Sequence, residues 1–186
     1  MKKFVKKLTA WLLFVLCMVL CLFCLVCVAF PMEHYALIKK YAQEYDLDPA
    51  TVCAFINAES RFNNEAVSHK GARGLMQVMQ STGRWAAEEI PIENYTDDSL
   101  DDPEINIRIG CWYLNRLTKQ FDGDKTLMTA AYNAGSGNVT GWLKGEYSND
   151  GKTLDAIPYK ETEKYVKKIN LYEKVYRVLI KVNFYE

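Results

Sequence analysis

From Ala10 to Phe30 the chain runs 21 consecutive residues without a charge and without Ser, Thr, Asn or Gln. A helix of that length rises about 31 Å, close to the hydrocarbon thickness of a bilayer. Lys2, Lys3, Lys6 and Lys7 stand immediately before the run, and no acid precedes Glu33. The positive-inside bias therefore predicts three parts: residues 1–9 as a cytoplasmic basic tail, 10–30 as a single signal-anchor helix in the cell membrane, and 31–186 as an extracytoplasmic domain. A removable signal peptide also begins with lysines and an apolar core, but that core usually spans only about 7–15 residues. An uncleaved anchor is the favoured expectation, with secretion after cleavage at Cys27-Val28-Ala29 as the alternative.

Beyond the anchor, the chain holds 19 basic against 23 acidic side chains, so the domain has no cationic excess for nucleic acid. An aromatic content of 13% disfavours disorder. Residues 31–186 are enough chain to bury about two-thirds of their unfolded surface in one core. Cys17, Cys21, Cys24 and Cys27 all lie in the apolar run, where a thiol behaves as a small hydrophobe. Cys53 and Cys111 fall in helix-like patterns and are expected as buried thiols, a bridge between them being the lesser alternative. No spacing suggests a metal site, and no cofactor is expected.

After Phe30 the apolar residues recur at helical spacing with no internal repeat, so the domain is expected to be all-α. Tyr35, Ile38, Tyr41 and Tyr45 mark a first helix ending near Asp46. A second begins at Asp48-Pro49, an N-cap followed by the residue best suited to a first turn, and runs to about Arg61. The polar, glycine-bearing stretch from Phe62 to Gly74 is expected as loop, with a short apolar helix or turn through Leu75 to Met79. Further helices are predicted over Thr82–Glu89, from Asp102-Pro103 to Gln120, from Leu127 to Asn133-Ala134-Gly135, over Val139–Leu143 and after Pro158. Pro91 to Asp102 and Gly145 to Ala156 are expected as loops.

Along the second helix Val52, Phe55, Ile56 and Glu59 fall at i, i+3, i+4 and i+7, which puts a carboxylate where a core residue is expected. Partial desolvation disfavours the charged form and keeps a proton available to a general acid, the group needed to protonate the leaving oxygen of a glycoside. The plainer alternative is a glutamate at the C-terminal edge of the helix that reaches solvent and pairs with Arg61 or a nearby lysine. Spacing alone names no substrate.

Three stretches in order narrow the choice. Glu59-Ser60-Arg61-Phe62, Ala66-Val67-Ser68 and Gly71 to Met79 resemble the catalytic region of the soluble-type lytic transglycosylases, the goose-lysozyme-like family. Ala130 to Gly135 resembles that family's second motif, and Ile157-Pro158-Tyr159, Glu161-Thr162 and Tyr165-Val166 its third. The likeness spans roughly Tyr35 to Val178 and excludes the apolar run.

The resemblance implies a lysozyme-like helical domain whose groove takes peptidoglycan glycan strands. It implies that Glu59 is the single acid and base, cleaving between N-acetylmuramic acid and N-acetylglucosamine to leave a 1,6-anhydro end without added water. It further implies that Ser68 positions the muramic N-acetyl group, that Gln77 bonds sugar and that Met79 walls the groove. Tyr132 and Asn133 would sit beside Glu59, a buried Glu161 would support the site, and Tyr165 would stand nearby. Without it, Ser68 is a loop hydroxyl, Met79 core filling, Asn133-Ala134-Gly135 a helix stop and Glu161 a first-turn acid favoured by the helix dipole. Where the family usually has proline after Met79, this chain has Gln80-Ser81-Thr82-Gly83, so a local change is expected at the start of the next helix. Arg73 falls at a variable position and carries no inference. A hydrolytic muramidase of the same fold and a non-catalytic wall-binding scaffold are the alternatives to a transglycosylase; no protein partner is legible.

Overall fold

The computed structural model describes residues 2–182, in eight α-helices and one short 3-10 helix, with no strand among them. The helices are α1 (Lys2–Ala29), α2 (Tyr35–Glu44), α3 (Pro49–Glu59), α4 (Gln80–Glu89), α5 (Pro103–Gln120), α6 (Lys125–Ala134), α7 (Ser136–Lys144) and α8 (Lys160–Lys181). The chain divides into two compact units after Pro31. The first is α1, which from Thr9 to Ala29 is long and apolar enough to cross a membrane.

In the second unit the helix starts follow local chemistry. Asp48 accepts the Ala50 amide at 2.9 Å, Asp102 that of Ile105 at 3.0 Å and Asp124 that of Leu127 at 2.9 Å, each supplying an acceptor to a first turn that has none. The stretch expected as loop before Asp102 carries the 3-10 helix Asp97–Asp101, opened by the Thr96 amide on Ser99 Oγ at 3.0 Å. Leu75 to Met79 is a turn rather than a helix, and α4 starts at Gln80, two residues before the expected Thr82. Cys53 and Cys111 are both buried free thiols, and burial pushes both well above the ordinary thiol range.

Helix α3 is the axis of the core. Every residue from Ala50 to Asn57 is buried, more than an amphipathic stripe would allow, because neighbouring elements cover it all round. Its most extensive partner is α8, which runs antiparallel to it. Arg177 reaches the cap Asp48 at 2.8 Å, Lys168 donates to the Ala58 carbonyl at 3.0 Å, and Tyr165 donates to Glu59. Between these ties lies a buried bond from Asn57 Nδ2 to Tyr176 Oη at 2.9 Å. The pair fixes the end of α3, and so the carboxyl that the end of α3 carries.

Candidate active site

Glu59 is the last residue of α3, half-buried, and the chain turns back immediately after it. Ser60 Oγ donates to the Leu75 carbonyl at 2.8 Å, and Arg61 and Phe62 adopt φ values of 54° and 63°. These left-handed conformations are unfavourable for side chains of that size, and burial of the Phe62 ring holds the second. The loop that follows is closed by single antiparallel bridges between Val67 and Arg73 and between Arg73 and Val78.

Asn106, from α5, is 1% exposed and ties this loop from below. Its Oδ1 accepts the Met76 amide at 2.8 Å, and its Nδ2 donates to the Arg73 and Leu100 carbonyls at 2.9 and 2.7 Å. Gly74, at φ 74°, lies so close to Asn106 that a Cβ there would stand 2.3 Å from its amide nitrogen, so the approach requires glycine. The Arg73 guanidinium grips Asp98 at 3.0 Å and also Asp101, fastening the loop to the 3-10 helix.

Two tyrosines frame the Glu59 carboxyl. Tyr165 Oη donates to Oε1, and Tyr132 Oη donates to the Met76 carbonyl at 2.7 Å. Both rings pack edge-on to Phe55, with centroids 6.1 and 4.9 Å away. Burial raises the proton affinity of Glu59, while the Tyr165 hydrogen bond and the Lys168 charge pull the other way; burial is the larger effect and the pKa ends above the usual carboxylate value. Burial and the Glu59 charge in turn keep Tyr165 protonated far above the ordinary phenol range, so it stays a donor.

The other residues implied by the resemblance divide in two. Tyr165 and Tyr132 stand around Glu59, and Asn133 is linked to α8 by Thr162 Oγ1, which donates to its Oδ1 at 2.7 Å. Met79 caps α4 and is 41% exposed. Ser68 and Gln77 work within the loop: Ser68 Oγ accepts the Ala72 amide at 2.9 Å, and Gln77 Nε2 donates to the Ala66 and Gly74 carbonyls at 2.8 and 3.0 Å. The Gln77 amide nitrogen is thus committed to backbone, leaving its carbonyl oxygen as the free acceptor.

Glu161 corrects an expectation. It is exposed on the first turn of α8, because the inward position of that turn falls one residue later, at the buried Thr162. Glu65 is exposed as well. Among the described residues no three His, Cys, Asp or Glu side chains gather as metal ligands. Sequence reasoning missed Asn106, Arg73 and Lys168. Lys168 had a visible signal, since it lies three residues beyond Tyr165 and so on the same side of α8.

The fold and the site together define a lysozyme-like helical domain that holds one protonatable carboxyl at the end of a buried helix. The chain belongs to the transglycosylase SLT domain family, whose model matches residues 36–154. It is 36% identical over 155 residues to the soluble lytic murein transglycosylase of Escherichia coli K12, covering 80% of this chain and 23% of that protein. It is 29% identical over 174 residues to the membrane-bound lytic murein transglycosylase C of Sodalis glossinidius, covering 78% of this chain and 47% of that one. Among solved structures, the lytic transglycosylase Slt of Pseudomonas aeruginosa, an inactive glutamate-to-glutamine mutant, superposes with a TM-score of 0.75 at 34% identity, over 85% of this chain and 26% of that one. The chain therefore spans about a quarter of the length of the soluble relatives it matches.

Proposed function

We propose that this chain is a membrane-held lytic transglycosylase of peptidoglycan, with Glu59 as both acid and base. The observation that carries the reading is the company Glu59 keeps. The groups acting on its carboxyl are a tyrosine hydroxyl and a lysine, and no second carboxylate is among them. A paired-carboxylate glycosidase needs the second group to activate water or to attack the sugar. With no second carboxylate acting on Glu59, this reading takes the nucleophile from the substrate itself.

In the first half of the reaction the protonated Glu59 gives its proton to the oxygen between N-acetylmuramic acid and N-acetylglucosamine, and the bond from muramic C1 to that oxygen breaks. In the second half the carboxylate, steadied by Tyr165, accepts the proton of the muramic C6 hydroxyl, whose oxygen bonds to C1. The carboxyl ends protonated as it began, no water is consumed, and the attack is intramolecular. The inactive glutamate-to-glutamine form of the Pseudomonas relative supports the need for a carboxyl in this family. Ser68, Gln77, Met79, Tyr132 and Asn133 are assigned to the glycan groove on the family likeness, Ser68 and Gln77 acting partly through the loop they brace.

Four lysines ahead of the apolar stretch of α1 favour an N-terminus in the cytoplasm and a domain facing the wall, and the named membrane-bound relative supports a tether. A tether limits reach, so the substrate is wall close to the membrane. The test is mass spectrometry of muropeptides released from purified peptidoglycan by the full chain in detergent, with Glu59→Gln in parallel. Anhydro-muramic ends from the unaltered protein alone are expected. Reducing ends would make it a hydrolase, and no release by either protein would make it a wall-binding scaffold.

A further inference from the structure

Helix α8 packs on the domain through Val166, Ile169, Glu173, Tyr176 and Leu179, all buried. Its outward side is unusual for a surface helix. Leu171 is 59% exposed, and Val178 and Val182, the latter at the C-terminal cap, are each 60% exposed. They stand at i, i+7 and i+11, so they form one stripe along the helix and not three scattered contacts.

Cations run along the same stripe. Lys160, Lys164, Lys174 and Lys181 are exposed on it, and among the described residues none of the four stands in an ion pair. Lys167 and Arg177 differ, since Glu163 takes the first and Asp48 and Glu173 the second. From Lys164 to Val182 no exposed position is an acid. The domain as a whole has more acids than bases, yet seven of its 19 basic side chains lie on α8, so the positive charge is gathered on this helix.

A soluble polyanion would be held by the lysines alone. Apolar side chains set among cations fit a surface that offers anionic headgroups over hydrocarbon. Such a surface is within reach, because only residues 30–34 separate α1 from α2 and a link of that length extends at most about 18 Å. We propose that the outward face of α8 lies on the anionic lipid surface of the membrane that carries α1, a second contact beside the span. The proposal rests on the tethered reading above and adds an orientation: the side of α8 that brings Tyr165 to Glu59 is turned away from the lipid.

The test reconstitutes the full chain into vesicles of phosphatidylcholine, alone or mixed with phosphatidylglycerol, each with a trace of a lipid bearing a photoreactive headgroup. Adducts are mapped by mass spectrometry, and those beside the end of α1 report insertion in every sample. Adducts on α8 are expected in the mixed vesicles, with about tenfold fewer in phosphatidylcholine alone and in the Lys160→Gln/Lys164→Gln/Lys174→Gln/Lys181→Gln variant. Leu171→Ser/Val178→Ser should lower them about threefold. Adducts at the end of α1 with none on α8, or α8 labelling indifferent to phosphatidylglycerol, overturns the proposal. Labelling indifferent to the apolar pair, or capture of soluble poly(glycerol phosphate) in place of lipid, makes the face a polyanion site and overturns it too. If the chain fails to float with phosphatidylcholine vesicles, the tether fails and the face is judged by flotation with phosphatidylglycerol vesicles. Flotation lost in the lysine variant then upholds the face, and flotation that is unchanged or absent overturns it.

Discussion

At one end of the α3–α8 pair, Glu173 is 4% exposed and bound by two cations, Lys125 at the start of α6 and Arg177, which also holds the α3 cap Asp48. At the other end, Glu59 receives a single hydroxyl bond from Tyr165, and the nearest ammonium, Lys168, donates to the Ala58 carbonyl instead. Two carboxyls on the same helix pair are both withdrawn from water, and their partners differ. A buried charge persists where cations and donors surround it, and shifts toward its neutral form where they do not. The Glu173 end therefore joins α3, α6 and α8, while at the Glu59 end burial shifts the carboxyl toward its neutral form.

The sharpest way to break the contrast is Glu59→Gln. Gln keeps the acceptor for Tyr165 and loses the transferable proton, so turnover should fall about a thousandfold, to background. Stability should move the other way. Burial raises the Glu59 pKa, so the folded state carries no penalty below about pH 4, where the unfolded chain is also protonated, and gains one as pH rises through the folded pKa. Glu59→Gln should thus be more stable than the unaltered protein at pH 7, by about 1 kcal/mol, and no more stable at pH 3; paired thermal melts at the two values check this.

Glu173→Gln should do the reverse. Removing the acid leaves two cations facing a neutral amide, and because Lys125 and Arg177 are 39% and 58% exposed they recover part of their hydration. A loss of about 2 kcal/mol is expected, roughly 4–8 °C in Tm, with little effect on kcat at temperatures where the domain stays folded. Tyr165→Phe returns to the catalytic end. It removes the donor that steadies the carboxylate, so kcat should fall about tenfold and the alkaline limb of the pH–rate profile, which reports loss of the Glu59 proton, should move upward as Glu59 holds that proton more firmly. A lower kcat with that limb unmoved would make Tyr165 a packing residue only.

What the sequence disclosed follows from the range of the forces involved. Asp48-Pro49 and Asp102-Pro103 announce helix starts because a cap acts within three residues, and Glu59 stands out because a helical interval put it in line with Val52 and Phe55. The partners that hold the site are distant. Arg73 finds Asp98 and Asp101 some 25 and 28 positions away, and Asn106 reaches back 30 to Met76, so neither tie leaves a local pattern. Full burial of α3 is likewise a product of what packs around it. The error at Glu161 is one of phase: its first turn could be placed after Pro158, but which of its residues faces inward depends on where α8 docks, and Thr162 took that position.

The smallest expected effect tests why Lys168 stands so near Glu59 without pairing with it. Its ammonium bonds the Ala58 carbonyl at 3.0 Å and lies 5.3 Å from the Tyr172 ring, and burial lowers its own pKa while the Glu59 charge opposes that. A cation at this remove favours the carboxylate that must form when Glu59 gives up its proton, without abolishing the burial that kept the proton there. Lys168→Met should therefore raise the Glu59 pKa by less than Tyr165→Phe does, because Lys168 is half-exposed and its field is screened. The expected result is a pH–rate profile displaced upward by a few tenths of a unit, with kcat at its optimum reduced less than threefold, and a displacement that shrinks as salt is added. Lys168→Arg should restore the profile. A profile unmoved in Lys168→Met would leave the lysine as a clamp on the last turn of α3, with Glu59 tuned by burial and Tyr165 alone.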